Sequence, residues 1–318
     1  MLVVVLNYKT AALTIDCLCS LADEIAAIPG SRVVVTDNAS DDGSVEKIAS
    51  AISENHWHDW AELMPLERNG GFAFGNNAAI RPVLASAVSC PYVLLLNPDT
   101  VVRPGALKAL LTFMEEHPEA GIAGSRLEDL DGSPQHSAFR FPSVISELDF
   151  GLRLGFVSKL LSRWTGVLPI ADCPHQTNWV AGASMIIRRE VFEAIGLLDE
   201  SYFMYFEEVD FCLRAHRGGW SCWYVPQSHV VHLVGQSSGV TDSKRPLKRL
   251  PTYWFDSRRR YFLKNHGWLF TALTDAAWLS GFTLWRWRRV IQRKPDTDHP
   301  HLWSDFLLNS VFVRGGQL

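Results

Sequence analysis

The stretch Tyr92-Val-Leu-Leu-Leu-Asn-Pro-Asp99 is an apolar run that ends in an amide and a carboxylate. Two earlier stretches have the same design, because Leu2–Leu6 leads into Asn7-Tyr8 and Arg32–Thr36 leads into Asp37-Asn38. Short runs rich in Val and Leu that stop at polar residues are typical of buried strands. The pattern therefore predicts at least three buried strands, each followed by polar side chains.

Helical segments separate these strands along the chain. We predict helices at Ala11–Ile28, Ser44–Ile52, Asn76–Ala87 and Pro104–Glu116, and one more strand at Glu62–Leu66. This alternation predicts an α/β fold with a mostly parallel sheet and helices on both faces. Ligands of such sheets bind beyond the carboxyl ends of the strands, so the polar residues at those ends are candidates for a site.

Composition and charge indicate a globular protein with a distinct C-terminal region. The 318 residues are 47% hydrophobic and 20% charged, with a formal net charge of −4. The segment 244–294 holds 13 Lys and Arg against two Asp, so the rest of the chain is strongly acidic. We predict a catalytic domain over 1–243 and a basic, Trp-rich helical appendage over 244–318. Six cysteines without a CxxC pair, and a first apolar run too short for a signal peptide, favour a reducing cytoplasm.

Three carboxylates interrupt the aromatic stretch Phe203-Met-Tyr-Phe-Glu-Glu-Val-Asp-Phe-Cys-Leu-Arg214. Asp210 and Arg214 are four residues apart on a predicted helix, which favours a structural ion pair. Glu207 and Glu208 begin that helix, where negative charge is favourable. Carboxylates among aromatic residues are also candidates for catalysis, so one of the two is a candidate general base.

Other candidate residues have a structural alternative. Asp37 could accept a hydrogen bond from the imide N–H of uracil or thymine, or it could cap the next helix. Asp99 could hold a divalent cation that neutralises a diphosphate, or it could cap the helix at Pro104. The glycines of 69–75 could admit an anion to a helix N-terminus, or form an ordinary turn. His229 and His232 could bind a metal or could be core residues.

Taken together and in this order, the motifs resemble those of the family 2 glycosyltransferases with the GT-A fold, in their bacterial rhamnosyltransferase-like branch. The resemblance covers about 2–239. The motifs are Leu6-Asn7-Tyr8, Asp37-Asn38-Ala39-Ser40, Asn69-x-Gly71-Phe72-x-x-Gly75-Asn76, Leu96-Asn97-Pro98-Asp99, Trp179-Val-x-Gly182 and Gly196-x-x-Asp199-Glu200, followed by the stretch from Phe203 to Arg214.

The resemblance implies an inverting transfer of a sugar such as rhamnose from a dTDP- or UDP-linked donor, assisted by Mg or Mn. The acceptor would be a glycan or a polyprenyl-linked glycan of a surface polysaccharide. Glu208 would be the base, and Asp99 and His232 would hold the metal. Trp179, Gly182 and Glu207 would lie on the acceptor side. The residues implied for nucleotide-sugar binding are Asn7, Tyr8, Asp37, Asn69, Gly71, Asn76, Asn97 and Asp99. Asn97 stands where the family has the first Asp of its DxD motif.

The C-terminal region raises the question of a membrane. Trp268–Trp285 is largely apolar, but Asp275 near its middle disfavours a transmembrane helix. A helix lying at the inner face of the cell membrane is expected, with a packed helical subdomain as the alternative. A non-catalytic sugar-nucleotide or glycan-binding module is the alternative function, supported by Asn97. Nucleic acid is not expected as a partner, because the acidic remainder and the apolar run oppose it.

Overall fold

The computed structural model describes residues 1–86, 90–233 and 247–317. The chain divides into two compact units. The first unit contains Met1–Phe139, Pro169–Phe203 and the described residues from Glu207 to 233, and the second contains Arg140–Leu168, Met204–Phe206 and residues 247–317. The predicted domain boundary at 243/244, the predicted helix end at 87 and the end of the resemblance near 239 lie outside the described residues.

The first unit holds the strands and six of the helices found in the described residues. The strands are β1 Leu2–Asn7, β2 Arg32–Asp37, β3 Ala61–Pro65, β4 Tyr92–Leu96, β5 Thr100–Val102, β6 Ala120–Glu128, β7 Ala138–Phe139, β8 His175–Thr177, β9 Trp179–Val180, β10 Ser184–Arg188 and β11 Ser221–His232. The helices are α1 Ala11–Ala26, α2 Ser44–Glu54, α3 Gly71–Ala85, α4 Ala106–Glu116, α7 Arg189–Ile195 and α8 Glu207–Arg217.

Nine of the strands in the described ranges form one sheet, in the order β3-β2-β1-β4-β10-β6-β11-β5, with β8 paired to β11. The run β3-β2-β1-β4 is parallel throughout, as the alternating sequence predicts. β10 is antiparallel to β4 and β6, and β11 is parallel to β6 but antiparallel to β5. The predicted α/β class is confirmed, and these later strands add the antiparallel pairs.

The parallel strands are buried because apolar residues cover them. Val3, Val5, Val33 and Val35 belong to one core cluster with Leu18 of α1, and all five are fully enclosed. Burial of the strands leaves their carboxyl ends as the place where polar side chains emerge.

Two segments after β5 differ in part from what their sequence predicts. The turn-rich, polar segment 124–142 predicts a flexible or hairpin segment; the structure has a hairpin turn after Glu128, where the Asp129 N–H donates to the Ser133 carbonyl at 2.8 Å, but β6 extends through Glu128 first and pairs on both sides. Gly124 suits this central strand because a Cβ there would lie 2.6 Å from the Cβ of Val180. The sequence of 143–166 also predicts a helix, and the structure breaks it at Arg153, whose φ of 50° ends the helix Val144–Leu152. Neither the strand through Gly124 nor the helix break at Arg153 can be predicted from the neighbouring sequence.

The second unit is helical, with α5 Val144–Leu152, α6 Gly155–Leu160, α9 Thr252–Ile291, α10 Leu302–Asn309 and α11 Val311–Arg314. Gly267, with φ 80°, divides α9 into two helical halves. Gly151 and Gly281 let α5 and α9 approach closely, since a Cβ on either would collide with the other backbone. Trp278 stacks on Phe306 with ring centroids 3.9 Å apart. The unit therefore has an aromatic core of its own.

A buried charge pair joins the two halves of α9. Arg258 Nη1 donates to Asp275 Oδ1 at 2.5 Å, and Arg258 Nη2 donates to Glu147 Oε2 at 2.7 Å. Asp275 Oδ2 also accepts from the backbone N–H of Val311 at 2.8 Å. Asp275 is thus satisfied inside the helical unit. Across the described ranges, no helix is both long and apolar enough to cross a membrane.

Candidate active site

The ends of β1 and β2 are joined by a polar turn. Asn7 Nδ2 donates to Asp37 Oδ2 at 2.6 Å. The Ser40 hydroxyl donates to the same oxygen at 2.7 Å, and the Ser40 backbone N–H donates to Asp37 Oδ1 at 3.0 Å. A carboxylate offers about four acceptor positions, so this buried group keeps capacity for one more donor. Asp37 shapes the turn, and its acceptor capacity is not exhausted.

The N-terminus of α3 is held against this turn. Asn38 Nδ2 donates to the carbonyl of Gly71 at 3.0 Å, and Asn69 Oδ1 accepts from the Gly71 N–H at 3.0 Å. Gly71 has φ 87°, and a Cβ there would lie 1.9 Å from the carbonyl oxygen of Phe203. Because the backbones touch, only glycine fits, and the Phe72 N–H donates to that carbonyl at 2.8 Å. Gly71 therefore brings the Asp37 turn next to the segment that leads into α8.

Two adjacent carboxylates begin α8. Glu207 is buried and Glu208 is partly buried, and the Oε2 atom of each is enclosed without a hydrogen-bond partner among the described residues. Burial, followed by the charge of Glu208, raises the pKa of Glu207 well above its ordinary value. Burial also raises the pKa of Glu208. Two neighbouring carboxyls in such a place share protons more readily than they ionise together.

Gly182 lies beside Glu208. A Cβ at Gly182 would be 3.9 Å from the Cβ of Glu208 and 3.4 Å from Cζ of Phe72. The antiparallel pairing of β10 with β4 places this residue near the end of β4, where the Asn97 N–H donates to the carbonyl of Ala183 at 3.0 Å. Gly182 therefore lies within van der Waals distance of both Glu208 and Phe72.

Asp99 and His232 meet at the end of the loop between β4 and β5, two residues after Asn97. The pairing of β5 with β11 places His232 across from Thr100, and His232 Nε2 lies 3.6 Å from Asp99 Oδ1. Burial lowers the pKa of His232, although the charge of Asp99 acts in the opposite direction. The lowered pKa favours the neutral imidazole. Asp99 is not the cap of α4, because Glu24 accepts from the N–H groups of Gly105 and Leu107 instead.

The donor chemistry of this pair fits a divalent cation. A carboxylate oxygen and an imidazole nitrogen are both ligands of first-row divalent metals, and 3.6 Å suits two ligands of one ion. The described ranges contain no group of three or more His, Cys, Asp or Glu with metal-binding geometry. A cation held here would therefore need further ligands besides these two side chains.

The amino-acid sequence matches a known protein family. The family model described as "Glycosyltransferase like family 2" matches residues 1–246. The chain belongs to glycosyltransferase family 2. The family identity predicted from the motifs is confirmed.

Relatives of this glycosyltransferase include bacterial rhamnosyltransferases. An N-acetylglucosaminyl-diphospho-decaprenol L-rhamnosyltransferase of Mycobacterium tuberculosis is 30% identical over 216 residues, which span 65% of this chain and 68% of the relative. The dTDP-rhamnosyl transferase RfbF of Shigella flexneri is 26% identical over 237 residues, 74% of this chain and 71% of the relative. The Pyrobaculum calidifontis mannosyltransferase PcManGT, solved with GDP-Man and Mn²⁺, superposes with a TM-score of 0.55 at 14% identity, covering 99% and 83%. Its likeness concerns the fold, and the GT-A fold predicted for the glycosyltransferase is confirmed.

Other predicted residues of the glycosyltransferase have varied surroundings. Asn76 is buried, and its amide donates to the Phe72 carbonyl within α3 at 2.9 Å. Tyr8 is partly exposed, and Trp179 stacks on Phe139 with ring centroids 4.3 Å apart. Contacts of these three residues with a donor or an acceptor stay predictions.

Three further features belong to alternatives in the sequence analysis or were missed by it. Asp210 Oδ2 accepts from Arg214 Nε at 2.9 Å, which confirms the predicted ion pair. His229 Nδ1 lies 3.0 Å from Oε2 of the buried Glu128, so His229 belongs to a separate pair. Asn77 Nδ2 donates to the Leu198 carbonyl at 2.9 Å and fixes the loop before α8. The sequence marks Asn77 only through its place after Asn76.

The segment entering α8 has an unusual backbone. Tyr205 and Phe206 both have positive φ, 70° and 66°. Bulky residues rarely adopt this conformation, and such strain is concentrated at functional sites. Within the second unit, Ser257 Oγ donates to the Met204 carbonyl at 2.9 Å and the Phe206 ring lies 5.6 Å from that of Tyr261. No local sequence signal predicted this pair of left-handed residues.

Proposed function

We propose that the protein is an inverting glycosyltransferase that moves a sugar from a dTDP- or UDP-linked donor to a glycan or polyprenyl-linked acceptor. Rhamnose is the first sugar to test. One observation carries the proposal: the carboxylate of Glu208 has an enclosed Oε2 with no hydrogen-bond partner among the described residues, and it lies beside Gly182. A carboxylate oxygen kept without a hydrogen-bond partner is suited to receive a proton.

Glu208 is the general base in this mechanism. It removes the proton of the acceptor hydroxyl as that oxygen attacks the anomeric carbon from the face opposite the diphosphate. The glycosidic bond forms, the bond to the diphosphate breaks with its electron pair, and the anomeric configuration inverts without a covalent enzyme intermediate. General-base assistance of this kind typically contributes about 100- to 10,000-fold to the rate.

Glu207 supports this role from the acceptor side. Its raised pKa, caused by burial and then by the charge of Glu208, favours the neutral carboxylic acid. A neutral neighbour leaves Glu208 as the ionised member of the pair. Glu208 is also the less buried of the two, so an acceptor can reach it more easily. Both points support Glu208 over Glu207 as the base.

The donor would be bound by the turn residues at the ends of the parallel strands. Asp37 has capacity to accept from a pyrimidine imide N–H, and the N-terminus of α3 provides a favourable position for phosphate. Asp99 and His232 would hold Mg or Mn, as Asn97 leaves the first DxD position uncharged. When bound, the cation supplies positive charge that neutralises the departing diphosphate.

The names of two relatives support the proposed donor and acceptor. One relative acts on an N-acetylglucosaminyl-diphospho-decaprenol acceptor and another is a dTDP-rhamnosyl transferase. By analogy, this enzyme would add a sugar to a polyprenyl-diphosphate-linked precursor of a surface polysaccharide. A lipid-linked acceptor would also place the enzyme in the cytoplasm at the inner face of the membrane.

A coupled assay tests the proposal. The protein is incubated with dTDP-rhamnose or a UDP-sugar and Mn²⁺, with and without a short-chain polyprenyl-diphospho-N-acetylglucosamine. Release of nucleoside diphosphate that requires the acceptor, with an inverted anomeric centre in the product by NMR, is expected. Donor binding without acceptor-dependent release would instead support the non-catalytic binding module.

A further inference from the structure

One face of α9 is largely apolar, uncharged and exposed along its whole second half. We name this face the α9 stripe, and its members are Leu269, Leu273, Ala276, Ser280, Leu284, Trp287 and Ile291. The five large residues of the stripe are between 51% and 76% exposed. At 1.5 Å per residue the stripe is about 33 Å long. Exposed apolar surface that is continuous over this length usually marks an interaction site.

The spacing of the α9 stripe shows that it is one face of a straight helix. Its members follow one another at intervals of four, three, four, four, three and four residues. At about 100° per residue, all seven lie within a sector of about 80°. Asp275 and Phe282 point away from this sector, toward the aromatic core and the buried charge pair. The Asp275 carboxylate therefore does not oppose burial of the stripe in an apolar medium.

Positive charge surrounds the stripe. Residues 247–317 hold twelve Lys and Arg against five Asp and Glu, a formal charge of +7, although the whole chain has −4. Arg293 and Lys294 are exposed immediately after the last turn of α9. Trp268 and Trp287, both more than half exposed, stand near the two ends of the apolar face. A neutral apolar face with Trp residues and flanking cations is the pattern of helices that lie in an anionic lipid interface.

The same features disfavour a second copy of the chain as the occupant. Two helices that supercoil around each other repeat their apolar positions every 3.5 residues, whereas the stripe repeats every eleven residues, or 3.67 per turn. Two copies would also bring like-charged basic regions together. Anionic lipid has the opposite charge and requires no register.

We propose that the α9 stripe inserts its apolar side chains into the surface of an anionic phospholipid bilayer, with Arg293 and Lys294 at the headgroups. The helix lies in the plane of the interface and does not cross it. Binding of the bilayer is independent of the transfer reaction. Its benefit, which is access to a polyprenyl-linked acceptor, rests on the proposed function.

Vesicle flotation of the full chain tests the proposal. The vesicles contain either equal parts of phosphatidylglycerol and phosphatidylcholine, or phosphatidylcholine alone, at low and high salt. The variants are Leu284→Glu, Trp287→Glu and the double substitution. Leu130→Glu in the first unit is the matched control, because Leu130 is as exposed as Trp287 and gains the same charge. Folding is checked by thermal melting and donor binding, and self-association by light scattering.

The parent protein should float with the anionic vesicles and much less with phosphatidylcholine, and salt should weaken the binding. Each single variant should lower the vesicle partition coefficient by about tenfold or more, and Leu130→Glu should leave it unchanged. A parent protein that stays unbound, or variants that float like the parent, would overturn the proposal. If the parent is a dimer that dissociates in the double variant, and flotation is unchanged, the stripe is instead the contact surface for a second copy of the chain.

The failure of the two proposals can be told apart. Donor binding and transfer to a short-chain, water-soluble acceptor should be equal in the parent and in the stripe variants. If the folded parent floats but does not transfer a sugar, the bilayer-binding proposal stands and the proposed reaction is rejected. If it transfers a sugar but does not float, the proposed reaction stands and the bilayer-binding proposal is rejected.

Discussion

Nε2 of His232 lies 3.6 Å from Oδ1 of Asp99, although the two residues are far apart in the chain. The antiparallel register of β5 and β11 creates this contact, and the N–H of Leu233 also donates to the Asp99 carbonyl at 2.9 Å. A carboxylate and an imidazole held by two paired strands cannot separate without breaking the sheet. We therefore expect the pair to act as one preorganised binding element.

Replacing Asp99 by Asn should remove most of the metal-dependent donor affinity. Loss of a partner that only orients a metal ligand typically costs 10- to 100-fold, so loss of the ligand charge should cost about 100-fold or more. Titration of the nucleoside diphosphate by calorimetry, with and without Mn²⁺, measures the effect. Asp16→Asn on the exposed side of α1 is the control for a lost surface carboxylate.

Replacing His232 by Ala should give a smaller loss of the same kind, about tenfold, because Asp99 remains. The Mn²⁺ concentration needed for half-maximal donor binding should rise. An unchanged metal requirement would show that His232 is a core residue that packs beside Asp99 without binding the cation.

Asp37→Ala should weaken nucleotide binding and relax the choice of base, and it should also destabilise the fold. Hydrogen bonds to charged groups contribute roughly 1.5–3 kcal/mol. Ser40→Ala is the matched variant, since it removes the 2.7 Å hydroxyl bond to Asp37 and keeps the carboxylate. Competition between uridine, thymidine, guanosine and cytidine diphosphates measures base choice, and urea unfolding measures stability. If Ser40→Ala relaxes base choice as much as Asp37→Ala, the carboxylate only shapes the turn.

The sequence predicts the first half of the fold well because local pattern and tertiary burial agree there. Leu2–Leu6 and Arg32–Thr36 are buried on both faces, so their apolar runs are uninterrupted and their polar ends are visible. In β6, by contrast, Gly124 and Ser125 occupy a buried central position. Gly124 is required by contact with Val180, and Ser125 by hydroxyl bonds to Ser184 and Ser228. Such long-range requirements make a strand look like a turn in the sequence.

The candidate site divides in the same way. The Asp210–Arg214 pair was predictable because the partners are one helical turn apart. The capping of α4 by Glu24 was not, since the carboxylate comes from another helix. The contact of Gly182 with Glu208 likewise depends on how the segment between β9 and β10 packs against α8. Local spacing identifies residue types suited to chemistry, whereas strand register and helix packing decide which of them meet.

Glu207→Gln should make stability less dependent on pH. Burial raises the pKa of Glu207 in the folded state above its unfolded value, so the folded state binds the proton more tightly. The stability that the neutral acid provides is fully present below the unfolded pKa, near 4.5, and is lost as pH rises toward the folded pKa. The amide is neutral at every pH. In urea unfolding, the variant should match the parent near pH 4 and exceed it at pH 8, and a parallel loss in both proteins would contradict the buried-acid assignment.

Glu208→Gln should abolish transfer and leave donor binding nearly unchanged. The amide keeps the shape of the side chain but cannot accept the proton, so turnover should fall by about 100- to 10,000-fold without a change in donor affinity. Glu207→Gln should retain most of its turnover, because a neutral amide resembles the protonated acid. Since burial raises the pKa of Glu208, the acid limb of the parent's rate profile should lie above the ordinary glutamate range, and activity should decline as pH falls through it. Steady-state kinetics of both variants across pH, with calorimetric donor titration, measure these outcomes. Activity of Glu208→Gln within tenfold of the parent, together with loss in Glu207→Gln, would exchange the roles of the two acids. Full activity in both variants would place the base elsewhere and reject the mechanism.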